Sequence, residues 1–255
     1  MKHIKSLFAV VAGLAIAASV QARTFEEIKK DGKIIAATEG AYPPFNFFQG
    51  SKLTGFEVEL GEAIAKKMGV AIEWKALSFD ALLAGLRQDR WDMVIASFGI
   101  TDERSKAVSF TNPHYCSGGV IVSKGEAIAT ADKLAGKTVA VQTGSTYMEN
   151  VKKLKGLKDV KNFPQDTDAR SALVNGRVDA WVSDRFVVKA AIEGNPNLGL
   201  KTGGYLFVEK VATAVKKNNT SLAEDINNAL SELMADGTYK TISEKYMKEE
   251  IRCQQ

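Results

Sequence analysis

The feature that most restricts the fold is an internal repeat. Gly32-Lys33-Ile34-Ile35-Ala36-Ala37 recurs as Gly136-Lys137-Thr138-Val139-Ala140-Val141, and both copies run on to a glycine, Gly40 or Gly144. Arg90-Trp91-Asp92-Met93-Val94-Ile95 recurs in the same order as Arg177-Val178-Asp179-Ala180-Trp181-Val182. Each first motif reads as a buried strand leading into a loop, and each second motif follows a helix-like segment. Leu60, Ala63, Ile64 and Met68 fall at helical spacing before Gly69, and Ser78 stands ahead of a helix with Leu82, Leu83 and Leu86 on one face. Strand and helix signals alternate, so the class is α/β with largely parallel sheets, and two repeats in one order imply two similar α/β lobes. Residues 211–216 read as a strand returning to the first lobe, followed by helices from Leu222 to Ala235 and from Thr238 to Met247. No Pro-rich or Ser-rich linker parts the lobes. Two hinge strands are therefore expected, with lobe 1 over 23–113 and 211–255 and lobe 2 over 114–210.

The N-terminus places Lys2, His3 and Lys5 before an apolar run from Leu7 to Val20, closing on Val20-Gln21-Ala22. This is the layout of a secretory signal peptide, and the apolar run is short of the ~20 residues that span a bilayer. Cleavage after Ala22 and release into a periplasm are expected. Without residues 1–22 the chain carries 32 basic and 30 acidic residues, a balance that points to neither nucleic acid nor an anionic membrane. Cys116 and Cys253 lie in a compartment that permits disulfides and are candidates for one bridge.

His114 is the one histidine beyond residue 22, which excludes a three-histidine metal site; no phosphate-binding Gly-x-x-x-x-Gly-Lys or Gly-x-Ser-x-Gly motif occurs. His114, between Pro113 and Tyr115, reads as a packing or hydrogen-bonding residue. The weight falls on binding. In open α/β sheets ligands sit beyond the carboxyl ends of the strands. The loop after residues 33–38 is Glu39-Gly40-Ala41-Tyr42-Pro43-Pro44-Phe45-Asn46-Phe47, where Phe45 and Phe47 read as core and Tyr42 as the pocket candidate. After the strand at 93–96, Arg104 offers a planar fork suited to a carboxylate, though alone it would read as a surface ion-pair residue. After the strand at 137–142, Ser145 and Thr146 open a helix near Tyr147, where N–H groups and hydroxyls can meet an anion. Asp184, closing the strand 178–183, is either a helix cap or an acceptor for an ammonium group.

Taken in order, Ala41-Tyr42-Pro43-Pro44-Phe45, Gly55-Phe56-Glu57-Val58-Glu59-Leu60, Ile100-Thr101-Asp102-Glu103-Arg104, Phe110-Thr111-Asn112-Pro113, Val141-Gln142-Thr143-Gly144-Ser145-Thr146, Gly176-Arg177-Val178-Asp179-Ala180 and Ala235-Asp236-Gly237-Thr238-Tyr239 resemble the polar amino-acid-binding proteins of bacterial ABC importers. The resemblance spans nearly the whole chain beyond residue 22. It implies two lobes with one amino acid in the cleft, closing on hinge strands in the manner of type II periplasmic binding proteins. Arg104 would hold the ligand carboxylate with help near Ser145 and Thr146, and Asp184 the α-ammonium. Tyr42 and Phe79 would form walls, Gln142 would join the shell, and backbone groups near Ser97 and Gly99 would complete it. Many relatives carry Thr or Ser at Gly99, so the resemblance leaves room there for a bulkier or modified ligand. Glu39 lies where relatives often have an acid meeting a side-chain donor, which favours a ligand with a basic or amide side chain over an acidic one; the other reading of Glu39 is a hydrogen-bonded loop residue.

The function so implied is a periplasmic solute-binding protein, a monomer without a cofactor, that delivers an amino acid or derivative to an ABC-type permease. Nucleic acid is not an expected partner. Two alternatives stand beside it: a cyclohexadienyl dehydratase-like enzyme, in which Asp184 would act on a cyclic acid such as prephenate, and a soluble ligand sensor.

Overall fold

The computed structural model describes residues 22–253. Of the signal peptide expected over residues 1–22, residues 1–21 lie outside the described residues. In chain order the helices are α1 (Phe25–Asp31), α2 (Phe56–Lys67), α3 (Phe79–Arg87), α4 (Asp102–Ala107), α5 (Thr146–Lys152), α6 (Asp166–Val174), α7 (Arg185–Gly194), α8 (Thr220–Ala235) and α9 (Thr238–Met247). The strands are β1 (Lys33–Thr38), β2 (Ala41–Tyr42), β3 (Asn46–Gln49), β4 (Lys52–Thr54), β5 (Ala71–Ala76), β6 (Met93–Val94), β7 (Val108–Lys124), β8 (Thr138–Gln142), β9 (Asp159–Phe163), β10 (Ala180–Asp184) and β11 (Leu200–Lys216).

Eight strands join in the order β5-β1-β6-β11-β7-β10-β8-β9, and β2, β3 and β4 form a small antiparallel sheet. β5, β1 and β6 are parallel, as are β10, β8 and β9, so each end of the sheet repeats one βαβαβ arrangement. The repeated motifs are β1 and β8, and β6 and β10. Their physical link is a pin: the Asp92 carboxylate accepts the Ile35 N–H at 2.7 Å, and Asp179 accepts the Thr138 N–H at 2.7 Å. The two pins differ by one residue of register relative to Gly32 and Gly136. Both glycines adopt left-handed φ, 68° and 73°, to turn the chain into its strand.

Between the two parallel sets run β11 and β7, paired antiparallel along their length. They carry the chain from one half to the other. The strand foreseen at 211–216 is the end of this 17-residue β11. Its earlier part hid from pattern reading behind Gly203 and Gly204, where a Cβ would lie 1.9 Å from the Ile128 carbonyl oxygen and 2.0 Å from that of Ala129.

Burial follows the helical stripes. Leu82 and Leu86 of α3 pack with Trp91, Val94 and Ala214 on one face of the sheet, and Trp91 Nε1 donates to the Leu82 carbonyl at 3.1 Å. Ser78 occupies the N-cap position of α3 but makes no side-chain cap bond. Phe45 is fully buried, stacked 4.7 Å from Tyr115. Phe47 departs from its expected core place: it is half-buried on β3, where pairing with Ala41 and Thr54 sets the face it presents. His114 is buried with Nε2 3.0 Å from Glu57 Oε1. The α8–α9 pair packs back on the first half, and Cys253 beyond it is disulfide-bonded to Cys116 on β7. Among the described residues no helix is long and apolar enough to cross a membrane.

Candidate functional site

The carboxyl ends of β1, β6, β8 and β10 face one another across the two halves, as the topology of open α/β sheets requires of a ligand site. Glu39 follows β1 directly and is 8 % exposed. Gln142, closing β8 in the other half, donates through Nε2 to Glu39 Oε1 at 2.7 Å. Burial, with the Asp166 carboxylate adding to it, pushes the Glu39 carboxyl up to about 8. Tyr42 is buried, its hydroxyl 3.4 Å from both the Tyr147 hydroxyl and Ser183 Oγ of the second half.

Arg104 is held on α4, whose N-cap Thr101 accepts the Arg104 N–H at 3.1 Å. The guanidinium donates to the Gly99 carbonyl at 2.8 Å and to the Gly144 carbonyl at 2.9 Å. Its carbon lies 4.9 Å from the centre of the Phe98 ring and 5.9 Å from that of Phe79, and those rings stack at 4.2 Å. Burial lowers its pKa. The expected aromatic wall at Phe79 is thus a two-ring stack flooring the arginine.

Ser97, with φ of 55°, turns its N–H and hydroxyl away to Glu57, at 2.7 and 3.0 Å. Ser145 caps α5: its hydroxyl donates to the Gln142 carbonyl at 2.7 Å and accepts the Met148 N–H at 3.1 Å. Thr146 directs its hydroxyl to Glu209 Oε2 at 2.8 Å. Asp184 is the helix cap that one of its readings expected. Oδ1 caps α7, accepting the Phe186 N–H at 2.7 Å, and Oδ2 is buried without a hydrogen-bond partner. Burial pushes its carboxyl up to about 7, and the Glu209 charge adds to the effect.

Gly99 is where the structure corrects an expectation. The space is not free for a bulkier ligand, because a Cβ at this position would lie 2.1 Å from Glu209 Oε2 and 3.2 Å from Thr146 Cγ2. Glu209, on β11, went unseen in the sequence, as did Phe98, Tyr147 and Ser183. The one usable signal was Gly99 itself, a glycine without positive φ in a site loop, which marks a close approach. Together the cleft brings one guanidinium, the buried carboxyls of Glu39 and Asp184, the half-buried carboxyl of Glu209 and aromatic walls to one place. It can strip water from a small ion and pair both signs of charge, which offsets the desolvation cost of several kcal/mol.

The chain is similar to known proteins along most of its length. The model of "bacterial extracellular solute-binding proteins, family 3" matches residues 34–249. The L-cystine-binding protein TcyJ of Escherichia coli strain K12 is 35 % identical over 93 % of this chain and 91 % of its own length. A solved ancestral arginine-binding protein bound to arginine superposes with a TM-score of 0.81 at 42 % identity, covering 84 % of this chain and 98 % of that one. The ancestral amino acid-binding protein AncCDT-1, described as a precursor of cyclohexadienyl dehydratase, has a TM-score of 0.81 at 29 % identity over 88 % and 99 % of the two chains. The chain belongs to family 3 of the bacterial extracellular solute-binding proteins.

Proposed function

We propose that this protein captures an amino acid or amino-acid derivative, polar or basic, in the periplasm and delivers it to an ABC-type membrane permease. The observation that carries the reading is a buried guanidinium on one half, Arg104, and on the other half a buried carboxylate, Asp184, whose Oδ2 makes no hydrogen bond of ordinary geometry. In this reading Arg104 meets the ligand carboxylate with help from backbone N–H groups near Ser145 and Thr146, Asp184 takes the α-ammonium, and Glu39 with Gln142 meets a side-chain donor. Tyr42 and the Phe79–Phe98 stack are the walls. The excess of buried carboxyls over guanidinium favours a cationic or amide side chain, in line with the arginine and cystine named for the relatives.

The mechanism is closure about β7 and β11, with lobe 1 over 23–113 and 211–255 and lobe 2 over 114–210. Glu39 with Gln142, and Arg104 with Gly144, already bridge the halves. A ligand bound to both half-sites adds contacts that only the closed form makes, and so shifts the population toward it. The permease reads the closed shape. The mature monomer begins at Arg23, and it acts by binding rather than by turnover.

The test is thermal unfolding with L-arginine, L-lysine, L-histidine, L-glutamine and L-cystine. A ligand at about 1,000 times its Kd stabilises by roughly 4 kcal/mol, and each kcal/mol moves the Tm of a chain this size by about 2–4 °C. An unchanged Tm across the panel refutes the reading. Likeness to AncCDT-1 and the raised Asp184 carboxyl favour one second reading, a dehydratase with Asp184 as proton donor. Turnover of prephenate or arogenate by the purified protein would select it.

A further inference from the structure

We propose that Glu209 is the specificity-determining residue of this cleft, a second carboxylate that grips the ligand's cationic nitrogen together with Asp184, and that position 99 is glycine to make room for it. The inference rests on the amino-acid reading above and deepens it.

Three observations carry it. First, Glu209 and any side chain at position 99 exclude each other. The Cβ of even an alanine would stand 2.1 Å from Glu209 Oε2 and 3.1 Å from its carboxyl carbon. Residues 98–100 cannot retreat easily, since Ile100 N–H donates to the Lys210 carbonyl at 2.8 Å and Ala212 N–H to the Phe98 carbonyl at 3.2 Å. The carboxylate therefore stands where a short hydroxyl side chain would otherwise project.

Second, the carboxylate is positioned and half-satisfied. Oε2 accepts from Thr146 Oγ1 at 2.8 Å and the Tyr147 hydroxyl stands near the carboxylate, while Oε1 is buried with no hydrogen bond of ordinary geometry. Leaving such an oxygen out of water and unmet is unfavourable in a folded chain. It is explained when a ligand donor completes it.

Third, the sheet register puts this oxygen beside the orphan oxygen of Asp184. Asp184 pairs with Gly119 and Glu209 with Ser117, two residues apart on β7, so both side chains leave the same face. The Ser117 hydroxyl, on the same face, stands beside the Asp184 carboxylate and eases its ionisation. β10 and β11 flank β7 at about 10 Å from each other, a gap that two carboxylate side chains and one nitrogen fill. The two acids feel each other's charge, each raising the cost of ionising the other without a cation between them. Arg104 lies near enough to ease that cost for Glu209 but donates to the Gly99 and Gly144 carbonyls, not to the Glu209 carboxylate. The cation that answers Asp184 Oδ2, Ser117 Oγ and Glu209 Oε1 is a primary ammonium with three N–H donors. The ligand class is thus an L-amino acid with a free α-ammonium.

The test is calorimetric titration with whichever panel amino acid the wild type binds, L-arginine first, and with its Nα-acetyl derivative. Glu209→Gln should weaken the free amino acid about tenfold or more. The preference for the free over the acetylated ligand should shrink by about fivefold or more, a coupling that a purely structural role would not produce. Gly99→Ser with Glu209→Ala supplies a hydroxyl in the vacated space and should recover affinity to within about threefold of wild type, while Gly99→Ser alone should bind poorly because its Cβ displaces the carboxylate. Glu209→Gln binding within about twofold of wild type, or an unchanged preference between the two ligands, overturns this inference and leaves the amino-acid reading standing. A wild type that binds no panel member overturns that reading, and this inference with it.

Discussion

At position 104 the guanidinium is buried and already donates to one carbonyl from each half, so its remaining N–H groups are aimed by bonds that precede any ligand. A preorganised fork of this kind replaces the hydration of a carboxylate at little further cost. Arg104→Ala is expected to weaken amino-acid binding by about 2–5 kcal/mol, roughly 30-fold to several thousand-fold. Arg104→Lys should recover only part, because the ammonium keeps the charge and loses the planar match to two carbonyls and a carboxylate. Calorimetric titration with circular dichroism as the folding control checks both. Binding of the alanine variant within about threefold of wild type would make Arg104 a structural tie between Gly99 and Gly144 and nothing more. Arg104, Asp184 and Tyr42 were legible as residues because each ends or follows a strand whose apolar pattern is local. Glu209 was not, since it lies in a strand segment without alternation and meets Gly99 only through pairing across more than a hundred residues.

The elements repeat by halves because the same short devices start and pin them. Gly32 and Gly136 turn the chain into β1 and β8, and Asp92 and Asp179 fasten the following motif to that strand. α3 depends on a close approach: a Cβ on Gly85 would stand 2.1 Å from the Trp91 ring. At the far end, α8 and α9 rest on the first half, and the chain beyond them is fastened to β7 by the Cys116–Cys253 bridge across 137 residues. Opening that loop adds conformational freedom chiefly to the unfolded chain. Replacing both cysteines by serine should lower stability by about 2–5 kcal/mol. Since Cys116 and Ser117 are neighbours on β7 and leave opposite faces of the sheet, the bridge lies away from the ligand side and affinity should change little. Urea unfolding of the variant with and without ligand measures the two effects separately, and a stability within experimental error of wild type would show that the bridge does not restrain the unfolded state.

At the scale of the whole molecule, burial places acids where water would otherwise solvate them, and that makes stability depend on pH. Asp166 is fully buried in the second half, accepting from Trp181 Nε1 at 2.9 Å; burial pushes its carboxyl up to about 6, against the opposing pull of that bond and of Arg170. The folded chain therefore holds a proton that the unfolded chain gives up near pH 4. The stability tied to that proton is fully present below the unfolded value and is lost as pH rises through about 6. Relative to Asp166→Asn, the wild type should lose about 1–3 kcal/mol between pH 4 and pH 7, or several degrees of Tm. Parallel pH profiles of Tm for the two proteins without ligand would refute the assignment. Glu39 and Asp184 act in the same direction whenever the halves are closed, and a bound cation opposes them.

By itself the sequence determined the alternation of strands and helices, the two repeats, the helix boundaries to within a residue or two at α2, α8 and α9, and the strand ends around which a site could form. Those signals are local: hydrophobic period, glycine stops and short motifs are complete within a dozen residues. Only the tertiary structure decided that β7 and β11 each run 17 residues through both halves, that Phe47 leaves the core, that Ser97 and Ser145 serve Glu57 and the α5 cap, and that Gly99 yields its space to Glu209. Each of these depends on which residues meet across strands distant in the chain, and on how far water is excluded from the charges that meet there. Pair register and desolvation are properties of the assembled sheet, and no window of sequence contains them.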